Sequence, residues 1–532
     1  MEIENKNEKI TSGAHVSYWT DDEHHVKFKQ LDANIETDVV IVGGGIAGVS
    51  TAYCLAKSGR KVVLVEDGYI GSGETGRTTA HLVTALDDRY YNLEKIHGEK
   101  GAHLVAESHQ EAIDFIEKTV KEEKIDCDFE RLDGYLFRHE TDDPDSLNKE
   151  FAAATKAGLQ IEKLSQVPGM VGTQSCLRFA NQAQFHPLKY LKGLCEGIIN
   201  FGGEIYVRTH ADKINSEGIT TSSGFTIKAN HVVVATNSPV NNSVIPHLKQ
   251  YAYRTYVIGF KIKKESVLKA LWWDTGDYQA NSNIPPYHYV RTTSLDDKYY
   301  LLIAGGEDHP TGLAEVEQLP EEERYKLLEI WTRNHFPVEE ILYQWSGQVL
   351  EPMDSLAFMG RNPMDKKNVY IITGDSGNGM THCTIGALLI TDLINGKVNE
   401  YEKLYNPARF KIFKAGKTFF TEVVEGIVNY IKLNPKDLDM TQLLSLKKEN
   451  GIIVKRENEK IGVYRDAENK AHIVSAVCTH LKCVVKWNND EKSWDCPCHG
   501  SRFTIEGKVI NGPANENLNY EMRTDISFPE IS

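Results

Sequence analysis

At 532 residues the chain exceeds the roughly 250–300 at which single cores stop growing, so more than one domain is expected. Apolar residues at 41% and charged residues at 25% are ordinary for globular protein, and no window reaches the roughly 18 uninterrupted apolar residues of a transmembrane segment. From Thr441 onward 13 basic residues balance 13 acidic ones, so the first 440 residues (47 basic, 62 acidic) carry the whole net charge of −15, which argues against nucleic acid or anionic lipid as partners.

Residues 1–35 read as a polar N-terminal extension with no apolar core for a signal peptide, so a cytoplasmic location is expected. Within it, Ser17-Tyr18-Trp19 is expected to tuck against the body. Asp38–Val42 then reads as a buried strand, followed at once by Gly43-Gly44-Gly45-Ile46-Ala47-Gly48. Val49–Ser58 has helical apolar spacing and stops at Gly59, and Lys61–Val65 is a second strand ending in Glu66 and Asp67. This is a βαβ unit. Gly43 makes the tight turn, Gly45 lets the backbone approach a pyrophosphate, and Gly48 lets the helix pack against the strand. The helix start offers free N–H groups to phosphate. Glu66, 23 residues after Gly43, can accept from both ribose hydroxyls. The loop Gly71–Ala80, with Gly73, Thr78 and Thr79, suits close passage under a large planar group and favours FAD over NAD. Arg77 in that loop faces flavin or phosphate, or is plain surface.

Helical patterns follow at Leu93–Glu123, at Ser146–Ala157 and from Pro187, where His186 reads as a capping or packed residue. Ile227–Asn237 is a strong buried strand. Residues 250–345 change character: Arg254–Ile262, Tyr287–Arg291, Tyr299–Gly305 and Ile341–Trp345 read as antiparallel strands. Trp272, Trp273, Tyr287, Tyr289 and Trp345 either line a pocket there or fill core and rim. A late strand, Asn368–Thr373, leads into a second glycine-rich turn, Gly374–Thr381. Phe419–Ile431 has helical apolar spacing and is expected to dock on the body.

Of nine cysteines, Cys54, Cys127, Cys176, Cys195 and Cys383 are scattered among apolar neighbours, while four fall within 21 residues near the end. There Cys478-Thr-His480 and Cys496-Pro-Cys-His499 place two thiolates and two imidazoles on two loops. That donor set suits a [2Fe–2S] cluster of the Rieske type, whose neutral imidazoles raise the potential to roughly −150 to +300 mV. The alternative is zinc, whose fingers use a Cys pair and a His pair rather than two Cys–His pairs.

On these motifs, residues 36–430 resemble the D-amino-acid-oxidase-like FAD-dependent oxidoreductases, the group that includes glycine, sarcosine and γ-glutamylputrescine oxidases. The matching residues are Val40–Gly48, Glu66, the Gly71–Ala80 loop and Thr373–Thr381. The resemblance implies that Gly374, Gly377, Gly379, Met380 and Thr381 contact the flavin ring, and that the antiparallel sheet covers its face. Residues 451–513 resemble a Rieske domain of the cytochrome bc/b6f kind, and the whole chain resembles bacterial fusions of the two modules. Residue by residue, this implies Cys478, His480, Cys496 and His499 as iron ligands and a Cys483–Cys498 disulfide, unusual for a cytoplasmic protein. Gly512-Pro513 matches the loop that covers the cluster. Two departures stand out: Lys482 replaces a glycine, and Phe503 replaces the tyrosine of high-potential members, which lowers the expected potential.

The expected architecture is an α/β FAD-binding Rossmann-like domain with an inserted antiparallel-sheet substrate domain, plus a C-terminal all-β Rieske domain. Residues 36–430 form the oxidoreductase, with cofactor segments near 36–90, 150–245 and 346–405 and substrate segments near 91–149 and 246–345. Residues 431–445 link it to the Rieske domain at 446–532. The expected activity is hydride transfer from a small-molecule substrate (an amine, amino acid or hydroxy acid) to FAD, with electrons passed singly to the cluster and on to a protein, quinone or O2. One rival is an oxidase that reduces O2 and uses the Rieske domain for docking or redox sensing; another is a non-catalytic redox-responsive protein. Arg291 is the candidate to hold a substrate carboxylate, because its guanidinium offers a bidentate fork.

Overall fold

The computed structural model describes residues 13–523 except 22–26, 173, 242–246, 248, 280–284, 313–318, 364, 411–442, 444 and 457–458. The 431–445 linker, apart from residue 443 and Ser445, and the Phe419–Ile431 segment lie outside the described residues. Among those described, no helix is long and apolar enough to cross a membrane.

The first sheet has eight strands. Its parallel centre runs Val369–Thr373, Thr226–Val234, Ile35–Val42, Val62–Val65 and Glu204–Tyr206. Val39–Val42, Val62–Val65, Val232–Val234 and Val369–Ile372 are continuously apolar because side chains of both faces are packed in cores. Ile46–Lys57 and Gly379–Ile394 pack against each other on one face, each starting at the end of a central strand. Two glycine-bearing turns are thereby brought to one end of the sheet, where open α/β sheets bind ligands.

The second sheet has nine strands, centred on the long antiparallel set Gln250–Lys263, His288–Ser294, Tyr299–Pro310 and Ile341–Pro352. Its membership corrects one boundary. Ile161–Leu164 and Cys176–Gln184, expected within the cofactor segment 150–245, pair in this second sheet instead. Period-two alternation identifies a strand but not the sheet it joins. The C-terminal region carries two four-stranded antiparallel sheets around their own apolar clusters.

The N-terminal segment bridges both parts. Trp19 is fully buried and donates from Nε1 to the Thr78 carbonyl at 2.6 Å, while Ser17 Oγ donates to the Gly76 carbonyl at 2.5 Å. A few residues earlier, Ala14 N donates to Glu491 Oε2 at 2.7 Å, and His15 lies 2.9 Å from Asp490.

Candidate functional site

A single cavity runs from the Gly43–Ala47 turn and Glu66 to Gly377–Met380 and the aromatic wall of the second sheet. The glycine requirements are visible in contact distances. Gly43 has φ +113°, and a Cβ there would sit 2.3 Å from the Ala235 carbonyl oxygen. A Cβ on Gly48 would sit 1.8 Å from the Gly43 carbonyl oxygen, so the helix reaches the turn only because no side chain intervenes. At Gly73 the added carbon would meet nothing within 4 Å, leaving that loop open toward the cavity. Glu66 accepts from Gly44 N at 2.5 Å and Gly68 N at 2.8 Å. Burial outweighs these bonds and pushes its carboxyl up to about 7.

Gly43, Gly45, Ile46, Ala47, Glu66, Asp67, Gly73, Thr78, Thr79, Gly377, Gly379 and Met380 all line the cavity. Gly48 and Gly374 support it from behind, and Thr381 Oγ1 bonds His109 Nδ1 at 2.8 Å instead. Buried atoms without partners among the described residues include Asp308 Oδ1, Asp375 Oδ1 and His382 Nε2, all on cavity-lining residues. An elongated cavity with a helix-start turn, a ribose-end carboxylate and unsatisfied polar groups near the late loop fits FAD.

Two arginines depart from expectation. Arg291 does not reach the cavity: its Nη1 donates to the carbonyls of Thr79, Ala80 and Phe185 at 2.8–3.1 Å, and its guanidinium stacks over Trp19. It holds the cofactor loop through Nη1, and because it does not line the cavity a substrate carboxylate there would not meet it. Arg77 lines the cavity, yet its guanidinium points out of the cofactor loop to Glu491 of the C-terminal domain, 2.7 Å away. Arg254 Nη2 meets the same oxygen at 3.0 Å, and Ser346 Oγ also bonds it. Glu491 has no exposed side-chain surface. Burial works against its ionisation, but Arg77 and Arg254 outweigh it and hold the carboxyl far below the usual range. Removing one partner of such a buried group typically costs about 3–5 kcal/mol, because a charge is left uncompensated.

Of the aromatics, Trp273, Tyr287 and Tyr289 line the cavity, whereas Trp272 and Trp345 are core residues that donate to the carbonyls of Pro168 and Arg77. Sequence reading missed Asp87, Thr255 and Asp308. Tyr287 Oη donates to Asp87 Oδ2 at 3.0 Å, and Thr255 Oγ1 and Tyr289 Oη are 2.6 Å apart. Glu307-Asp308-His309 ends an apolar strand with three polar residues, which was the available signal.

In the C-terminal domain the Cys478 and Cys496 thiols are free, buried and within hydrogen-bonding reach of each other, and the rings of His480 and His499 lie 5.1 Å apart. Cys483 and Cys498 form a disulfide with Cα atoms 6.5 Å apart. Their sulfurs approach Cys496 as well, but the disulfide commits them and leaves two thiols and two imidazoles. His499 Nδ1 is buried without a partner, as suits a ligand atom. This donor set fits a [2Fe–2S] cluster. Ser501 donates toward Cys478 and in turn accepts from Ala514 N at 3.0 Å. Phe503 is fully buried in the same cluster of side chains as Cys478 and Cys496. A hydroxyl there adds one donor, so Phe503→Tyr is expected to raise the cluster midpoint by about 40–60 mV, equivalent to about 1–1.5 kcal/mol on a one-electron couple. Potentiometric EPR titration checks this; an unchanged midpoint removes the role assigned to position 503. Lys482, at φ +62°, is exposed, with its ammonium on the Thr479 carbonyl.

Comparison with known proteins agrees with both halves. Residues 38–393 match the family model described as FAD dependent oxidoreductase, and residues 439–521 match that of the Rieske [2Fe-2S] domain. The protein named "Putative Rieske 2Fe-2S iron-sulfur protein YhfW" of Bacillus subtilis (strain 168) is 32% identical over 96% of this chain and 98% of its own length. Gamma-glutamylputrescine oxidoreductase of Escherichia coli (strain K12) is 25% identical over 74% of this chain and 92% of its own. Glycine oxidase from Geobacillus kaustophilus superposes with a TM-score of 0.58 at 17% identity, covering 71% of this chain and all of that one, a likeness of fold.

Proposed function

Because the chain belongs to the FAD dependent oxidoreductase family and carries a Rieske [2Fe-2S] domain, we propose that it oxidises a small cationic amine and passes the electrons to its own cluster. Bound FAD supplies hydride acceptance, and the cluster carries one electron at a time. The residues of the chain bind and orient. Trp273, Tyr287 and Tyr289 wall the cavity against water. Asp87 and Asp308 place carboxyls beside them as acceptors, and Arg77 and Arg291 are committed to Glu491 and to backbone carbonyls, so an ammonium group is favoured over a carboxylate. The cluster ligands are proposed as Cys478, His480, Cys496 and His499.

The observation that carries the electron route is Gln348. It lines the cavity, and its Nε2 donates to the Gly500 carbonyl, beside His499, at 3.0 Å. One residue thus belongs to the lining of the cofactor cavity and bonds a cluster loop.

Asp308 also carries the acid–base step. Burial pushes its carboxyl up to about 7, near the value suited to a general base at neutral pH. Below about 7 it is protonated and cannot take a proton from the substrate ammonium at Oδ1, so kcat/KM is expected to rise with pH through that value. Asp308→Asn should lower kcat/KM by about 100-fold and abolish that limb. In anaerobic stopped-flow with an amine that is turned over, flavin bleaching should precede cluster bleaching. A cluster that stays oxidised rules out the route, and an acid limb that persists in Asp308→Asn rules out the base.

A further inference from the structure

The Rieske domain does more than sit beside the cofactor. In its segment Val509–Asn515 every residue but Pro513 lines the same cavity as Gly43–Ala47 and Glu66. Direct contacts seat it there. Asn511 Nδ2 donates to Glu74 Oε1 at 3.1 Å, within the loop that lines the cavity floor. Asn515 Nδ2 donates to the carbonyls of Ala211 and Asp212 at 3.2 and 3.1 Å. Gly512 passes so close to the body that a Cβ would meet Val240 at 3.0 Å. On its other side the same segment is tied to a cluster loop through Ala514 N and Ser501 Oγ.

We propose that the Rieske domain is part of the FAD site: Val509–Asn515 roofs the end of the cavity marked by Glu66, and the buried Glu491–Arg77–Arg254 grouping holds that roof closed. Retention of FAD then depends on domain docking. The two are linked because contacts to the roof exist only in the docked arrangement: FAD and docking favour each other by the same factor, and a change that populates the undocked arrangement weakens FAD binding. Arg77 makes the coupling local, since it belongs to the cavity-lining loop and ends on Glu491.

The test uses the full chain, loaded with FAD and cluster, and needs no substrate, so its failure is separable from failure of the amine reading. FAD release after dilution is followed by flavin fluorescence, with visible circular dichroism of the cluster reporting an intact Rieske domain. Glu491→Ala is expected to speed release at least tenfold. Asn511→Ala combined with Asn515→Ala, which leaves the Arg77 ion pair in place, is expected to speed it several-fold. An unchanged rate in either variant with normal cluster dichroism overturns the proposal; in the second case any effect of Glu491→Ala would come from the Arg77 loop alone. Should Glu491→Ala fail to fold, the asparagine pair decides by the same criterion.

Discussion

Cys478→Ser is expected to separate the two halves of the reaction. The residue is 1% exposed, its free thiol lies beside that of Cys496 and Ser501 donates toward it, so a hydroxyl in its place removes a ligand without opening a cavity. Loss of the reduced-state EPR signal should accompany retention of flavin absorbance. Single-turnover bleaching of the flavin by an amine should stay within a few-fold of the parent, because the residues that bind substrate are untouched. Steady turnover with a one-electron acceptor should fall by at least about 100-fold, since the outlet for single electrons is gone. Undiminished turnover without the cluster would falsify the proposed route and favour direct reduction of O2.

Gly48→Ala is expected to empty the flavin site. The new methyl would stand 1.8 Å from a backbone oxygen of Gly43, and neither side can move without shifting the helix start. Overpacking of this kind costs about 1–3 kcal/mol or more, and here the strain falls on the turn that receives the pyrophosphate. Flavin content per chain should drop below about a tenth of the parent's, with the Rieske EPR signal preserved as an internal control. Gly45→Ala provides the contrast. Its added carbon meets Thr75 Oγ1 at 3.1 Å and no other atom within 4 Å beyond its own stretch of chain, so it should weaken FAD binding without lowering the melting temperature of the flavin-free chain. Equal flavin content in Gly48→Ala and the parent would remove the packing role assigned to Gly48.

What could be read from the sequence was what the chain encodes locally. The Gly43–Glu66 unit and the Cys478–His499 constellation each lie within about 25 consecutive residues, so spacing alone carries their geometry. Arg291 and Arg77 show the opposite case. Both are arginines near a cofactor loop, and their partners stand far away in sequence: Thr79 and Ala80 for one, Glu491 for the other. Nothing near Arg77 announces a carboxylate 414 residues later. Asp308 was hidden for another reason. A polar residue at a strand end ordinarily faces water, and only the closure of the second sheet over the cavity buries it. The sheet membership of Cys176–Gln184 was likewise settled by long-range pairing with Glu130–Phe137, which periodicity does not encode.

The strap at residues 13–19 bears on how the molecule is made. Ala14 and His15 leave the ribosome before their partners Glu491 and Asp490, which stand 477 and 475 residues further along the chain. The backbone contacts of Ser17 and Trp19 to the Gly76–Thr78 loop are available as soon as the first βαβ unit exists. One end of the strap can therefore be anchored during synthesis while the other waits for the Rieske domain. Biosynthetic order places docking of that domain after the first part has formed, and a bulky tag fused directly ahead of Gly13 would burden that step rather than the folding of either part.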